Sequence, residues 1–488
     1  MKVEDWKWRY LILVFDCSMT FGCYFNIDII SAVQADIQGQ DTGPCMNISS
    51  NATCCDGCMG LGPYRYNQLY TAYSWMNALF ALPGGYMIDR IGNRVSAIIV
   101  TSMATIGSVL FAVSSMEGIR GSTAMFPLMI CGRLLIGAGS GSSLIVQDRV
   151  VAFWFKDRIS FVYGFVIFAL RVGNVSNYLV TANIAKTYGI RWAFWTGTLA
   201  CVIGVISAIS LAVVDYYGTK QLDDDCKINM KALPVSRKDI RDFPVTYWIV
   251  CLMIMSYYSS YLPFVGNGTK YIQDRYGYSK TTSSYFTGAI YDTSVVTSPL
   301  IGSLLGAIDC HGMVLFAVCI FTLPVFPLLS YCPELHPLIL TVWIGISYTF
   351  AGVCLWPCIM IVVPKKAIGT AIGIATFVQG LGIGLTNLVT GKLLGFTEDP
   401  NRESLIHKYQ TMLWLLLGML LFCTACSITL NIFDLSKGRL LNRRLAKKNA
   451  KEMKTFVDEK SSLMTDAPSV QSYVSIDASS SDLIPGIQ

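Results

Sequence analysis

One arginine lies in the middle of a long apolar stretch of this sequence. Arg171 occurs in Phe168-Ala-Leu-Arg171-Val-Gly-Asn174, inside an apolar run over residues 160–185. Their 3–4 spacing would place Phe168, Arg171 and Asn174 on one helical face. A guanidinium can hold a carboxylate through two parallel hydrogen bonds. The pattern predicts an anion-binding residue, with a structural ion pair as the alternative.

Acidic residues in other apolar runs could meet this cation. Asp28 lies late in the first run, Asp292 lies near the middle of the eighth, and Asp16 lies deeper in the first. A charge inside an apolar span is costly and marks a functional site by default. Asp28 or Asp292 could neutralise Arg171, bind the ammonium group of a solute or carry a proton.

Other polar and aromatic residues in the spans are candidates for the same cavity. Arg133 in Gly132-Arg-Leu-Leu-Ile-Gly137 could bind a solute or serve helix packing. A midplane pocket could be walled by Tyr257, Tyr258, Tyr261, Tyr291 and Trp356. Tyr258 and Trp356 are the strongest of these, because Pro357 can bend the helix that carries Trp356 into a cavity.

A charged turn separates the second and third apolar runs. It reads Gly85-Tyr-Met-Ile-Asp89-Arg90-Ile-Gly92-Asn-Arg94. The acid and bases cannot lie in lipid, and the glycines allow a sharp reversal, so the turn should face water at a membrane surface. Asp148 and Arg149, near the end of the fourth run, are predicted to form a gating salt bridge.

Composition indicates a polytopic membrane protein. The chain has 488 residues, of which 53% are hydrophobic and 14% charged, with a net charge of +6. Soluble domains carry roughly 25% charged residues. Apolar runs lie near residues 8–30, 69–88, 94–115, 124–153, 160–185, 191–215, 245–266, 282–308, 312–332, 337–363, 367–394 and 411–433. Lipid offers the backbone no hydrogen-bond partners, so these runs, about twelve in number, are expected to be membrane-spanning helices.

The chain divides into two predicted halves. Residues 1–216 would form an N-terminal six-helix half, 217–244 a cytosolic linker, 245–434 a C-terminal six-helix half, and 435–488 a basic and then disordered tail. With both termini cytosolic, 24 Lys and Arg residues of the termini and loops fall on the cytosolic side and ten on the other. This asymmetry is the positive-inside pattern.

The first loop and the tail carry processing signals. Glycosylation acceptor patterns begin at Asn47, Asn51 and Asn267, all on the predicted lumenal side. Four first-loop cysteines, Cys45, Cys54, Cys55 and Cys58, suggest disulfides in an oxidising lumen. In the tail, Leu463-Met464 after an acidic residue and Tyr473-Val-Ser-Ile476 resemble dileucine-type and tyrosine-based sorting signals, which favour a lysosomal membrane over the plasma membrane.

The charged turn resembles the signature loop between the second and third helices of the major facilitator superfamily. Further segments resemble its lysosomal dipeptide transporter branch, the type of major facilitator superfamily domain-containing protein 1. These include Tyr73-Ser-Trp75-Met-Asn77, Trp154-Phe155-Lys156, Ala169-Leu-Arg171-Val-Gly173 and Leu355-Trp356-Pro357. The resemblance extends over roughly residues 8–434.

This resemblance implies an all-α fold of twelve helices in two halves, acting as a uniporter that exports dipeptides, including cationic ones, from lysosome to cytosol without a cofactor. It also implies a glycosylated lysosomal membrane protein as accessory partner; a homodimer is a further possibility. Arg171 would bind the dipeptide carboxylate, and Trp356 would line the pocket. The family has an acid in the fourth span, where this chain reads Gly139-Ser-Gly-Ser-Ser143.

Other functions remain open from the sequence. The absent fourth-span acid favours transport of another organic anion, such as a monocarboxylate or sugar phosphate, possibly coupled to protons. A receptor or scaffold has little reason to keep charges in its spans. An enzyme is not expected, because no nucleophile–base set, HExxH or Walker loop occurs.

Overall fold

The computed structural model describes residues 7–39, 57–155, 159–221, 240–308, 310–364, 367–396, 401–436 and 441–442. Its N-terminal half comprises α1 (Arg9–Ile27), α2 (Ile29–Ala32), α3 (Gln34–Gln38), α4 (Gly62–Ile91), α5 (Asn93–Val113), α6 (Met125–Trp154), α7 (Ile159–Tyr188) and α8 (Ile190–Gln221). The C-terminal half comprises α9 (Val245–Tyr276), α10 (Lys280–Ile308), α11 (His311–Thr322), α12 (Val325–Tyr331), α13 (Pro337–Val362), α14 (Ile368–Leu394) and α15 (Arg402–Ser436).

These helices match the predicted spans, with α1–α3 forming the first and α11–α12 the ninth. The all-α prediction is confirmed. Helix α8 continues to Gln221, so the first five residues assigned to the linker are helical. Helix α9 continues ten residues beyond the predicted run, to Tyr276.

Two of the long helices are more polar than the others, although each contains one of the predicted apolar runs. Ten helical segments of the described chain are long and apolar enough to cross a membrane, and α4 and α10 are not among them. Both pack across the two halves, α4 against α14 and α10 against α7. Their polar residues, including Asn67, Thr71, Ser284 and Thr287, are buried there instead of facing lipid.

The charged turn is a one-residue connection. Helix α4 ends at Ile91 and α5 begins at Asn93, with Gly92 between them at φ +89°. Only glycine adopts this conformation without strain. Arg94 follows and pairs with Asp215 near the end of α8, whose carboxylate also accepts a 2.7 Å hydrogen bond from Trp154 Nε1. The turn is thereby tied to α6 and α8.

The first span is broken beside Asp28. Helix α1 ends at Ile27, and Asp28 leaves helical geometry with φ −104° and ψ 15°. Arg133 Nη1 donates to the carbonyl oxygens of Asn26 at 2.9 Å and Ile27 at 3.1 Å. These bonds satisfy carbonyls that the break leaves without a helical partner. These contacts agree with the packing alternative, and a solute-binding role for Arg133 stays a prediction.

Polar contacts join the two halves at one end of the bundle, where α3 ends and α4 begins. We call this the first-loop end and these contacts the inter-half seal. The seal comprises Ser31 Oγ donating to Val265 O at 2.6 Å, Tyr66 Oη to Gly266 O at 2.5 Å, Thr71 Oγ1 to Gly384 O at 3.0 Å, Lys270 N to Gln34 Oε1 at 2.8 Å, and the Asp36–Lys280 ion pair. The halves are in contact at this end.

Asn267 belongs to the seal, and the structure argues against the prediction that it is a glycosylation acceptor. Its side chain is fully buried within α9. Its Nδ2 donates to Asn67 Oδ1 at 2.9 Å, and Asn67 Nδ2 donates back to Asn267 Oδ1 at 3.1 Å. The position lies nine residues before the end of α9, roughly 13 Å along the helix at 1.5 Å per residue. A glycan cannot be accommodated between two packed helices.

The remaining processing signals fall mostly outside the described residues. These are Asn47, Asn51, Cys45, Cys54, Cys55 and the tail signals at Leu463, Met464, Tyr473 and Ile476. Cys58 is described and is disulfide-bonded, whereas the other described cysteines are free. Its partner therefore lies outside the described residues, and the predicted pairing within the first loop stays a prediction.

Glycosylation provides a test of this arrangement. We expect Asn267→Gln to leave electrophoretic mobility unchanged, because its amide is buried in the seal. The double variant Asn47→Gln/Asn51→Gln should migrate like glycosidase-treated protein. A residual glycosidase-sensitive shift in the double variant, absent after adding Asn267→Gln, would contradict the placement of Asn267 in α9.

Candidate functional site

The candidate site is centred on Arg171, near the middle of α7. Gly173, two residues on, allows α7 to approach α1: a Cβ there would lie 3.0 Å from Tyr24 Cβ and 3.1 Å from Phe21 O. The arginine side chain is half-buried. Arg171 makes no hydrogen bond or ion pair with any described residue. The alternative of a structural ion pair therefore finds no support among these residues.

Aromatic rings of the opposite half face this guanidinium. Its Cζ lies 4.5 Å from the ring centroid of Tyr348 on α13 and 6.0 Å from that of Tyr291 on α10. A cation is attracted to the negative face of an aromatic ring within about 6 Å. These rings hold the charge while leaving its N–H donors free for an anion.

The rings continue into a cluster on the C-terminal half. Tyr348 stacks on Tyr261 with centroids 4.4 Å apart, and Tyr258 meets Tyr348 edge-on at 6.1 Å. Trp356 Nε1 donates a 3.1 Å hydrogen bond to Tyr258 Oη. The structure thus brings the predicted residues Tyr258 and Trp356 into one cluster with Arg171, through Tyr348.

Asp28 forms the second polar centre of the site. Its carboxylate accepts hydrogen bonds from Tyr291 Oη at 2.7 Å, from Asn174 Nδ2 at 3.1 Å and, at the limit of 3.5 Å, from Tyr70 Oη. The side chain is 1% exposed. Tyr291 belongs to the C-terminal half and the other partners to the N-terminal half, so Asp28 lies where the halves meet.

Asp292 does not join this centre. Tyr291 points to Asp28, and adjacent helical residues are rotated by about 100° relative to each other. Asp292 accordingly lies on an exposed face of α10, like Val296 at 69% exposure. Asp292 makes no hydrogen bond or ion pair with a described residue. Asp292 does not neutralise Arg171 in this structure, and a role for it in transport stays a prediction.

Asp16 is separate from Arg171 and Asp28. Its carboxylate is fully buried, and neither oxygen has a hydrogen-bond partner among the described residues. Gln147 of α6 donates to the Asp16 main-chain oxygen at 3.2 Å, not to the carboxylate. Asp16 thus does not contribute to the centre formed by Asp28.

The predicted gating residues lie at the opposite end of the bundle from the seal. Gly85, Asp89 and Arg90 occupy the last turns of α4, and Asp148 and Arg149 the last turns of α6. Asp148 and Arg149 are half-buried, and Arg90 is exposed. A gating role for these residues stays a prediction.

The glycine–serine segment of α6 serves helix packing. A Cβ at Gly139 would lie 2.6 Å from Val100 O on α5, and one at Gly141 would lie 2.9 Å from Asn77 O on α4. Ser140, Ser142 and Ser143 are buried. This segment therefore presents no acid to a solute, and Asp28 is the acidic group at the centre of the site.

The described residues contain no group of three or more His, Cys, Asp or Glu side chains that could hold a metal ion.

The sequence analysis did not identify Tyr348, which packs directly on Arg171. Tyr348 and Trp356 are eight residues apart and hence about 80° apart around α13. The eight-residue spacing from Trp356 is the one sequence feature that could have pointed to Tyr348. Aromatic residues at the same spacing are also common in helices that only pack.

Comparisons with known proteins agree on the family. The Major Facilitator Superfamily matches residues 17–386. The chain is 26% identical over 400 residues to the lysosomal dipeptide transporter MFSD1 of Homo sapiens, covering 79% of this chain and 80% of that protein. It is 27% identical to the Mus musculus protein of the same name over 401 residues, with the same coverage. A probable galactarate/D-glucarate transporter of Escherichia coli strain K12 is 28% identical over 161 residues, 30% of this chain and 33% of that protein.

Solved structures show the same fold. A D-xylose-proton symporter aligns with a TM-score of 0.63 at 15% identity, covering 86% of this chain and 97% of that one. A bacterial homologue of the human lysosomal transporter Spinster aligns with a TM-score of 0.62 at 13% identity, covering 88% and 97%. With its two six-helix halves and the one-residue turn at Gly92, the chain belongs to the Major Facilitator Superfamily.

Proposed function

We propose that this transporter is a uniporter that moves dipeptides, including cationic ones, from the lysosome lumen to the cytosol. The two halves would alternate access to a site between them, as facilitator folds do. With cytosolic termini, the first-loop end is lumenal, and the inter-half seal closes the lumenal side. The named function of the MFSD1 relatives supports this proposal.

The observation that carries the proposal is the unpaired guanidinium of Arg171. It is half-buried at mid-span, faces aromatic rings across the two halves, and has no anionic partner among the described residues. A charge kept there without a partner is costly unless it serves function. The C-terminal carboxylate of a dipeptide fits this cation through two parallel hydrogen bonds.

Two polar centres of opposite charge support a solute with one anionic and one cationic terminus. Tyr291 separates them: its ring centroid is 6.0 Å from Arg171 Cζ, and its hydroxyl is 2.7 Å from Asp28 Oδ2. Arg171 would bind the carboxylate of the dipeptide and Asp28 its amino group, with Trp356 and Tyr258 beside the side chains.

Replacing Arg171 tests the carboxylate site. We expect Arg171→Ala to lower dipeptide uptake into proteoliposomes by about tenfold or more, because each hydrogen bond to a charged group contributes about 1.5–3 kcal/mol. Arg171→Lys should recover part of the uptake, since it keeps the charge but not the planar pair of donors. Arg191→Ala, an exposed arginine at the end of the bundle, is the matched control. Uptake by Arg171→Ala at the level of the control would contradict the assignment.

A second candidate is transport of a different organic anion. The packed α6 segment offers no acid for an amino group, and an Escherichia coli relative over part of the chain is a probable sugar-diacid transporter. A monocarboxylate or sugar phosphate would use Arg171 alone. The two candidates therefore differ in the role of Asp28.

Replacing Asp28 distinguishes these candidates. If Asp28 binds an amino group, Asp28→Asn should lower uptake of alanyl-alanine about tenfold, because an amide lacks the charge that pairs with an ammonium. In the same assay, neither the unmodified protein nor Asp28→Asn should take up lactate or glucose 6-phosphate above background. Uptake of either anion by the unmodified protein, equally strong in Asp28→Asn, would favour the second candidate.

We also propose that the protein resides in the lysosomal membrane, because its tail carries two sorting motifs. The family resemblance supports a glycosylated lysosomal membrane protein as accessory partner, and a second copy of this chain is a further candidate.

The combined variant Leu463→Ala/Tyr473→Ala should move a tagged protein to the cell surface, since both sorting motifs are removed. Surface biotinylation and lysosomal co-staining measure this shift. Ser479→Ala/Ser480→Ala is the control, and unchanged lysosomal staining of the first variant would contradict the tail-signal assignment.

A further inference from the structure

Tyr291 has a position that no other residue of the described inter-half contacts shares. Its hydroxyl donates to Asp28 across the two halves, while its ring lies beside Arg171. The ring also packs 6.0 Å from Tyr178 on α7 and 6.4 Å from Tyr348 on α13. Tyr291 is fully enclosed, with 2% exposure. It therefore connects the solute site to the contacts that hold the first-loop end together.

The Asp28 carboxylate accepts hydrogen bonds from three neutral donors among the described residues. Asn174 and Tyr70 come from its own half, and the shortest bond, at 2.7 Å, comes from Tyr291 of the other half. An ammonium group forms stronger hydrogen bonds to a carboxylate than a neutral hydroxyl does, because both partners are charged. An arriving amino group would compete with these donors. Tyr291 is the one of the three that comes from the other half, so its displacement is the one that removes a contact between the halves.

We propose that the Tyr291 hydroxyl occupies the place of the solute's amino group on Asp28 and holds the first-loop end closed until that amino group displaces it. This inference rests on the proposed function for the identity of the solute, and on the Asp28–Tyr291 contact for the mechanism. Displacement removes one bond between the halves and weakens the inter-half seal. A carboxylic acid without an amino group can bind Arg171 but leaves Tyr291 on Asp28. Tyr291 is in this way a specificity-determining residue: transport is selective for solutes that carry both termini.

Hydrogen–deuterium exchange of the purified full-length protein in lipid nanodiscs tests the proposal. The reporters are the seal segments at residues 62–71 of α4 and 263–272 of α9. Tyr291→Phe removes the hydroxyl and keeps the ring. We expect exchange of both segments to rise about tenfold or more without any solute, because a hydrogen bond to a charged acceptor is lost from the closed state alone. Exchange at the unmodified level in Tyr291→Phe would overturn the proposal.

The matched control is Tyr271→Phe. Tyr271 is equally buried, and its hydroxyl donates to Leu329 O at 2.5 Å, but both residues belong to the C-terminal half. General loss of stability should lower the melting temperature of both variants, whereas faster exchange at the α4 segment should be confined to Tyr291→Phe. Equal exchange at that segment in the two variants would identify Tyr291 as merely structural.

Two added solutes test the role of the amino group. Alanyl-alanine should accelerate exchange of the seal segments in the unmodified protein and add little in Tyr291→Phe, where the competing hydroxyl is already gone. N-acetyl-alanyl-alanine should not accelerate it. Equal acceleration by both solutes would overturn the amino-group competition. If Tyr291→Phe opens the seal while liposomes show no alanyl-alanine uptake, the proposed dipeptide function fails and the closure by Tyr291 stands.

Discussion

The interaction on which this structure depends is that of the Arg171 guanidinium with aromatic faces instead of a carboxylate. In a bundle that excludes water from most of its interior, a cation must be stabilised or it destabilises the fold. A neighbouring acid would have neutralised it and consumed its hydrogen-bond donors. Ring faces stabilise the charge and leave the donors available. The C-terminal half supplies these rings, so the charge on one half depends on the other half being in place.

The polar groups of the bundle are divided between two tasks. Those near the first-loop end, such as the Asn67–Asn267 amide pair, satisfy each other and join the halves. Asp28 lies between this seal and Arg171 and serves both. Arg133 supports that position by capping the carbonyl groups of Asn26 and Ile27, where the first span breaks. The buried Arg133 thus supports the break in the first span, whereas the half-buried Arg171 makes no hydrogen bond or ion pair with a described residue.

The sequence predicts the spans well, and it identifies Arg171 as a candidate because an ionised residue in an apolar run is visible without any structure. It predicts contacts poorly. Tyr291 and Asp292 are adjacent, and only the rotation of α10 decides that the tyrosine reaches Asp28 while the acid is exposed. Asn267 begins a glycosylation acceptor tripeptide, and the polar residues that follow it are typical of a loop. They are helical because their partners lie on the other half, which no local pattern contains.

The polarity of α4 and α10 has a consequence for biogenesis. Neither is among the described helices that meet the hydropathy criterion for a span, and each packs on the opposite half as well as on its own, α4 on α14 and α6, and α10 on α7 and α13. While the ribosome is still making α9–α15, α4 has no α14 to shield Asn67 and Thr71. The nascent N-terminal half would then present these groups to lipid, where unsatisfied polar groups cost several kcal/mol each. We infer that the burial of this polar face of α4 is completed only after α14 has been made, so assembly of the first half depends on the second.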